Sequence, residues 1–348
     1  AYQVMQGFNP TATSTLLQMT YRWANGTVSQ KMTNTCFAIV QMKYSQSANL
    51  TGMQQMKFQV INPRNAPGDC FQDYLTNTVY GAGLTINQID TTSLTALNTY
   101  SAGAFTYTDS TGSHTQNRFQ FNGVINTVNN IMDNLQQMAT SCDCLIKYNE
   151  VLGLWGVIVQ QPTYTVAMAL NDSNLLGGFN ITPLDISASY NIIECKYPEV
   201  SSQDSFNSAT FDLTQLAPQL MYPNEPINKQ SVTLSLVNNS VTAQYIANRL
   251  LEAGREDLTI TCRATFTGIQ LEAGDVVTVT SANYGWDNKL FRVNKITEIF
   301  ESTGSITAEL MLSEFNPQIF DDLPITAFEP SPNTGLPNAL SFGTLAAP

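Results

Sequence analysis

The chain has 348 residues, 43% of them hydrophobic, with 15 Lys and Arg against 27 Asp and Glu, for a net charge of −12. Charged residues make up 12%, about half the ~25% of ordinary soluble domains, and Asn, Gln, Ser and Thr take their place. The scattered cations exclude a tight sequence-independent nucleic-acid binder, which needs clustered Lys and Arg to displace counterions. The longest apolar runs fall far short of the ~20 residues of a membrane-crossing helix, so no membrane span is expected.

At this length two or more domains are expected. No secretory signal or basic leader is read at the N-terminus, and the first residue is Ala1, which points to processing or to a piece of a longer polypeptide. The six cysteines are Cys36, Cys70, Cys142, Cys144, Cys195 and Cys262. None forms a C-x-x-C pair, and the pattern reads as small buried thiols in a reducing compartment.

Residues 1–60 read as β-structure. TLLQMTYRW, the turn pair Asn25-Gly26 and TVSQ make a hairpin, and CFAIVQMKYSQS and MQQMKFQVIN make two further strands. At NPRNAPGD the texture changes. Asp69 is placed as the cap of a short helix with Phe71, Tyr74 and Leu75 on one face. A second helix is expected near Thr92–Ser93 with Leu94 and Leu97 inward. Residues 101–117 read as a polar loop or weak hairpin. GVINTVNNIMDNLQQMATSC then carries Val124, Val128, Ile131, Leu135, Met138 and Cys142 at helical spacing, and a hairpin turning at Asn149–Gly153 follows. Helices packed on a small sheet give an α+β domain over 61–170.

A strand is expected from Ile186 to Tyr197, and SSQDSFNSATFDLTQLAPQLMYPNEPINKQ reads as a polar excursion. VTLSLV is a strand leading into the helix 241–254. Ser240 is its expected cap, Ala243, Ile246, Ala247, Leu250 and Leu251 its apolar face, and Gly254 its left-handed stop. Alternating segments then run from Leu258 to Asn316, with turns at Gly274-Asp275 and around Gly304. Their short, regular spacing suggests an antiparallel barrel or sandwich. After Asn316 the chain is Pro-rich and irregular, so 321–348 reads as an extended arm or linker.

Little of this points to chemistry. His114 is the only histidine and sits in a polar loop without ligand-spaced neighbours. No G-x-S-x-G, phosphate-binding G-x-x-x-x-G-K-[ST] or strand-linked G-x-G-x-x-G occurs. The carboxylate pairs Asp321-Asp322 and Glu256-Asp257 lie at turns. No catalytic, cofactor-binding or metal-ligating residue is therefore expected, and the chain is not read as an enzyme. Tyr284 and Trp286, on a tip between strands, are the candidate partner contacts.

Four stretches in order carry a family likeness: NPRNAPGDCFQDYLTNTVYGAG; RFQFNGVINTVNNIMDNLQQMATSCDCLIKYNEVLGLWGVIVQQP; SNLLGGFNIT followed by YNIIECKYPE; and VTAQYIANRLLEAGREDLTITCRATFTGIQLEAGDVVTVTSANYGWDNKLFRVNKITE. Over about residues 55–320 the chain resembles the central hub of long-tailed bacteriophage tail tips, the tip attachment (host-specificity) protein J family. The resemblance implies a β-rich α+β fold of interlocked antiparallel β-barrel hub domains with an inserted α+β domain. The first barrel would take strands from 1–60 and the second would span 171–320. It also implies a homotrimeric ring at the virion tail tip, assembled in the host cytoplasm, that closes the tail tube and opens for DNA ejection. Its partners would be the distal tail ring, tail tube, tape measure and receptor-binding proteins, with viral DNA passing without tight binding. No cofactor is implied. A β-rich receptor- or carbohydrate-binding tail module and a tail-associated cell-wall hydrolase are the alternatives.

Overall fold

The structure, a computed structural model, describes residues 2–5, 37–40, 46, 64–183, 189–199, 205–256, 258–302, 304–322 and 324–327. The chain divides into two compact units, Ala1–Asn62 and Pro63–Pro348. In the first, β1 (Tyr2–Met5) pairs antiparallel with β2 (Phe37–Val40). The hairpin expected at Asn25-Gly26 and the strand expected in MQQMKFQVIN lie outside the described residues.

The second unit opens with α1 (Pro67–Thr76), which buries Phe71, Tyr74 and Leu75. Pro67 suits the first turn, where its missing N–H has no intrahelical partner to lose. Asp69 is not the cap. Ala66 holds that position, and the Asp69 carboxylate accepts from Asn98 Nδ2 at 2.8 Å. Asp90 caps α2 (Thr91–Ala102) by accepting from the Thr92 and Ser93 N–H groups, and Leu94 and Leu97 point inward. The polar stretch that follows is a hairpin of β3 (Ala104–Asp109) and β4 (Gly112–Asn117).

The next helix is shorter than its apolar spacing predicts. α3 spans only Ile131–Ser141, while Val124 and Val128 are 86% and 89% exposed. Asn126 turns the chain by accepting from the Val128 N–H at 3.0 Å and supplies its own carbonyl to Asn134. Asparagines that bond locally to the backbone compete with helix, and here they win. β5 (Cys144–Asn149) and β6 (Leu154–Val159) then form the expected hairpin. The Cys142 thiol lies in hydrogen-bond contact with Cys144 Sγ at 3.4 Å, with no disulfide between them, and the five described cysteines are free thiols. Burial pushes the Cys195 and Cys262 thiols up to about 12.

The remaining elements are β7 (Val166–Leu170), β8 (Asn180–Pro183), β9 (Ile192–Glu199), β10 (Ser205–Asp212), the one-turn α4 (Leu213–Leu216), β11 (Lys229–Thr233), α5 (Ser240–Ala253), β12 (Leu258–Ala264), β13 (Val276–Ser281), β14 (Trp286–Phe300), β15 (Ile306–Glu314) and β16 (Ile325–Thr326). β10 falls in the stretch read as a polar excursion. It pairs with β9 over its whole length and buries Ala209 and Phe211 between exposed Ser208 and Thr210. Asn239, not Ser240, caps α5 by accepting from the Thr242 N–H. Gly254 is right-handed (φ −67°) and not the left-handed stop expected. Its missing side chain is needed for space, because a Cβ there would meet the Tyr190 ring at 2.9 Å.

Two cores result. The larger joins α1–α3, the β5–β6 hairpin, the sheet β10-β9-β11 and the apolar face of α5. The helix thus turns toward the elements before it and away from the sheet that follows it. That sheet has six strands in the order β7-β13-β14-β15-β12-β8, antiparallel except where β7 joins β13. Its core of Leu170, Ile260, Val277, Phe291, Leu310 and their neighbours comes from its own strands and connecting loops. The fold is a β-rich α+β. Among the described residues the sheet's ladders leave β7 and β8 as its two edges.

At the turn before β13, Gly274 adopts φ +97°, and an added Cβ would lie 2.2 Å from Ile158 Cδ1. A β-branched residue at positive φ is strained whatever the space. Gly274→Val is expected to lose roughly 2–4 kcal/mol, from backbone strain plus overpacking. Urea denaturation checks this, and an unchanged midpoint rules the turn out.

Candidate functional site

The residues best placed to define a site converge on Arg249, on the buried side of α5. Its guanidinium donates from Nη1 to Asp143 Oδ2 (2.9 Å) and the Gln160 carbonyl (3.2 Å). From Nη2 it donates to the hydroxyls of Tyr100 (2.5 Å) and Tyr245 (2.7 Å) and to the Phe320 carbonyl (3.0 Å). The Arg249 and Asp143 side chains are only 4% and 8% exposed, so the charge is neutralised where water cannot help. Burial alone would lower the Arg249 pKa, but Asp143 and the two tyrosines outweigh it and hold the cation above its ordinary range. Asp143 is delivered by a left-handed backbone (φ +48°) between the two cysteines.

The network extends outward. Tyr245 donates to Asp322 Oδ1 at 2.8 Å, and Arg118 grips both Asp322 oxygens. Gln160 donates to Asp143 Oδ1 and accepts from Arg292, whose guanidinium lies over the Phe315 ring. Burial pushes the Tyr245 hydroxyl well above its ordinary range, only partly opposed by Arg249. Each of these carboxylates, phenols and cations is engaged by another, so the arrangement is a clamp that ties distant segments together. A second clamp lies beyond α5. Arg255 holds Glu225 bidentately at 2.9 and 2.8 Å, with side chains 5% and 0% exposed, and also donates to the Tyr190 carbonyl.

His114 lies on the β3–β4 hairpin, 3.1 Å from Asp109 Oδ1 and 2.8 Å from Thr111 Oγ1. The three side chains belong to one solvent-facing turn. Among the described residues no group of three or more His, Cys, Asp or Glu could hold a metal, and no helix is long and apolar enough to cross a membrane. A shallow groove of about 400 Å³ runs between Ala104–Thr108 and the segment carrying Asp322, Pro324 and Ile325.

Tyr284 and Trp286 are brought together at the tip joining β13 to β14, but they face different ways. Trp286 packs into the sheet core, 5.5 Å from Phe291. Tyr284 is 46% exposed and stacks on Trp286 at 5.0 Å, with Phe179 edge-on at 5.7 Å. The sequence reading missed the Arg249 and Arg255 clamps. One signal was present, since Arg249 interrupts the apolar stripe of the helix, but apart from Tyr245, one turn away, its partners are 71 to 149 residues away.

Replacing Arg249 with Met strands a buried carboxylate, and breaking one side of such a pair costs about 3–5 kcal/mol. Arg249→Met is expected to lose that much in urea denaturation. Acid should act at the same joints. For Asp322, burial raises the pKa but Arg118 and Tyr245 hold it below its ordinary value. For Glu225, burial is likewise outweighed by Arg255 and the Tyr222 N–H. Depressed carboxylates contribute stability that is complete above their unfolded pKa of roughly 4 and is lost as pH falls through the lower folded pKa. Urea midpoints should therefore fall on acidification below about pH 4.5, and more shallowly in an Asp322→Asn/Glu225→Gln variant.

No family model matches the chain. In sequence it is similar to baseplate hub protein pb3 of Escherichia phage T5, 23% identical over 266 residues, covering 71% of this chain and 26% of the relative. The chain thus spans about a quarter of that relative's length. Among solved structures it is similar to a chain in the virion of a native gene transfer agent particle (15% identity, TM-score 0.43, 61% of this chain and 44% of that one). It is also similar to a tail protein from Neisseria meningitidis MC58 (14% identity, TM-score 0.44, 63% of this chain and 64% of that one). A third is the 43 kDa tail protein of prophage MuSo2 from Shewanella oneidensis (13% identity, TM-score 0.36, 63% and 60%).

Proposed function

We propose that this chain is a structural component of a bacteriophage tail, a baseplate-hub protein at the tail tip. The observation that carries the reading is the sequence likeness to a phage baseplate hub protein across 71% of the chain. The physical character of the molecule supports it. Its buried ionic groups brace contacts between distant segments and are held by several partners each, which suits a part that works by shape. Its charge-poor surface suits permanent contact with neighbours, since the core of protein interfaces is depleted in charge.

One end of the six-stranded sheet supports subunit contact in particular. Phe300 stands directly opposite Ile306 on the β14–β15 ladder, and they are 72% and 39% exposed. By strand alternation Ile306 lies on the same face as buried Ala308, Leu310 and Leu312, so the row continues the sheet's core beyond what this chain covers. In the proposed assembly three copies form a ring that closes the tail tube and opens for DNA ejection. The distal ring, tube, tape measure and receptor-binding proteins are its neighbours, in a virion assembled in the host cytoplasm. Strands from 1–60 and those within 171–320 act as barrel-like hub domains, the latter completed at one sheet edge by β7 (Val166–Leu170) from the end of the 61–170 insert, and 321–348 is an arm. The six-stranded sheet's self-made core is what supports the barrel.

Mass photometry of the purified chain at micromolar concentration is expected to show a species of three times 38.2 kDa. Antibody labelling of virions is expected to mark the tail tip. A monomer together with unlabelled tails overturns the reading.

A further inference from the structure

We propose that the β13–β14 tip is a binding site for a neutral saccharide, with the exposed face of Tyr284 as the platform on which a sugar ring stacks. The inference stands on the tip's own geometry and does not rest on the tail-hub reading.

The platform is pre-organised. Trp286 covers one face of the Tyr284 ring, with planes 26° apart and centroids 5.0 Å apart, and Phe179 buttresses it edge-on at 69°. Trp286 is itself anchored against Phe291 in the sheet core. The 46% exposure of Tyr284 therefore belongs to a ring that is already fixed. An aromatic ring held this way loses little conformational entropy on binding, and its face offers a flat apolar surface to the C–H groups of a pyranose. The backbone of the tip is set by Gly285 (φ +67°) and Asn288 (φ +52°), and the Asn288 N–H is bonded to Thr280 Oγ1.

The chemistry around the ring selects the ligand. Asn283, Asp287 and Asn288 are exposed around Tyr284. Asn288 Nδ2 donates to Oδ1 of the exposed Asp287, which orients the carboxylate. Amides and a carboxylate beside an aromatic face supply the acceptors and donors that sugar hydroxyls need. No cation occurs between Val279 and Asn288, and the next residue, Lys289, is held by Glu314. A phosphate or acidic sugar would meet only Asp287, so nucleic acid and anionic glycans are disfavoured. An apolar protein face would strand the same amides and the carboxylate without partners, so an uncharged polyhydroxyl ligand fits better than a protein.

The test titrates the full-length protein with tetra-N-acetylglucosamine and with maltohexaose, read by saturation-transfer NMR and by tryptophan fluorescence. The expected result is saturable binding of at least one, with a dissociation constant on the order of 1 mM, as befits an open site of few contacts. Tyr284→Ala and Asp287→Ala should each weaken it at least tenfold with circular dichroism unchanged, while Tyr284→Phe, which keeps the ring, stays within about threefold. No saturable binding of either probe overturns the proposal. So does undiminished binding by Tyr284→Ala. Loss of subunit assembly in Tyr284→Ala without saccharide binding by the parent also overturns it and makes the tip a protein contact.

Discussion

The second unit depends on one buried cation. Arg249 reaches Asp143 106 residues before it and Phe320 71 residues after it, and binds the Tyr100 hydroxyl across 149 residues. A guanidinium removed from water loses several kcal/mol of solvation, so the site is tolerable only when its donors find acceptors together. Four of its N–H groups share five acceptors here, and only Nε is left without one. Such a set is satisfied in a single arrangement of α5, the α2 terminus, the β5 hairpin and the segment after β15. The clamp therefore contributes more to specifying that arrangement than to net stability. Asp322 passes the constraint on. Bound to Tyr245 and Arg118, it fixes the chain just before β16 adds its two residues to β3.

The same physics decides what the sequence could disclose. β12 to β15 were legible because their alternation is local: each strand carries its own in-out pattern, and the turns at Gly274 and Gly304 both show the positive φ that glycine permits. The apolar face of α5 was legible for the same reason. The start of α3 was not, because Val124 and Val128 have helical spacing while Asn126 bonds the backbone into a turn. Spacing counts apolar residues and says nothing of that competition. β10 was hidden by composition, since its buried pair Ala209 and Phe211 is diluted by Ser, Asn and Thr. Gly254 was assigned the wrong reason. It ends the helix in the ordinary right-handed region, and the demand on it comes from Tyr190, 64 residues earlier in the chain.

The candidate site was legible only as a place. Tyr284 and Trp286 could be put on a tip, but a sequence cannot say which of two neighbouring aromatics turns inward. The structure divides them by what stands behind each. Trp286 begins β14 opposite Ser281 across a bulge and finds Phe291 and the sheet core beneath it. Tyr284, in the turn, has only Trp286 and Phe179 to lean on. The partners of the clamps were not legible, because ion pairs between distant residues leave no periodic trace; only Arg249 itself stood out, as a cation in an apolar stripe.

These features bear together on how so acidic and charge-poor a chain can be rigid. Of its few cations, Arg249 and Arg255 are spent inside, at opposite sides of the α5 terminus, where burial makes each pair demanding of geometry. Exposed pairs such as Arg263 with Glu301, 43% and 32% exposed, contribute little, because water and salt screen them. The rest of the surface is dominated by amides, hydroxyls and isolated apolar side chains, with a net negative charge that does not attract polyanions. A surface of that kind gains contacts by shape and hydrogen bonding, and shape is useful only if the scaffold behind it does not yield. The buried arginines supply that stiffness: moving α5 relative to β5 or the Phe320 segment exposes an unpaired charge to a medium that cannot solvate it, so small displacements are opposed steeply.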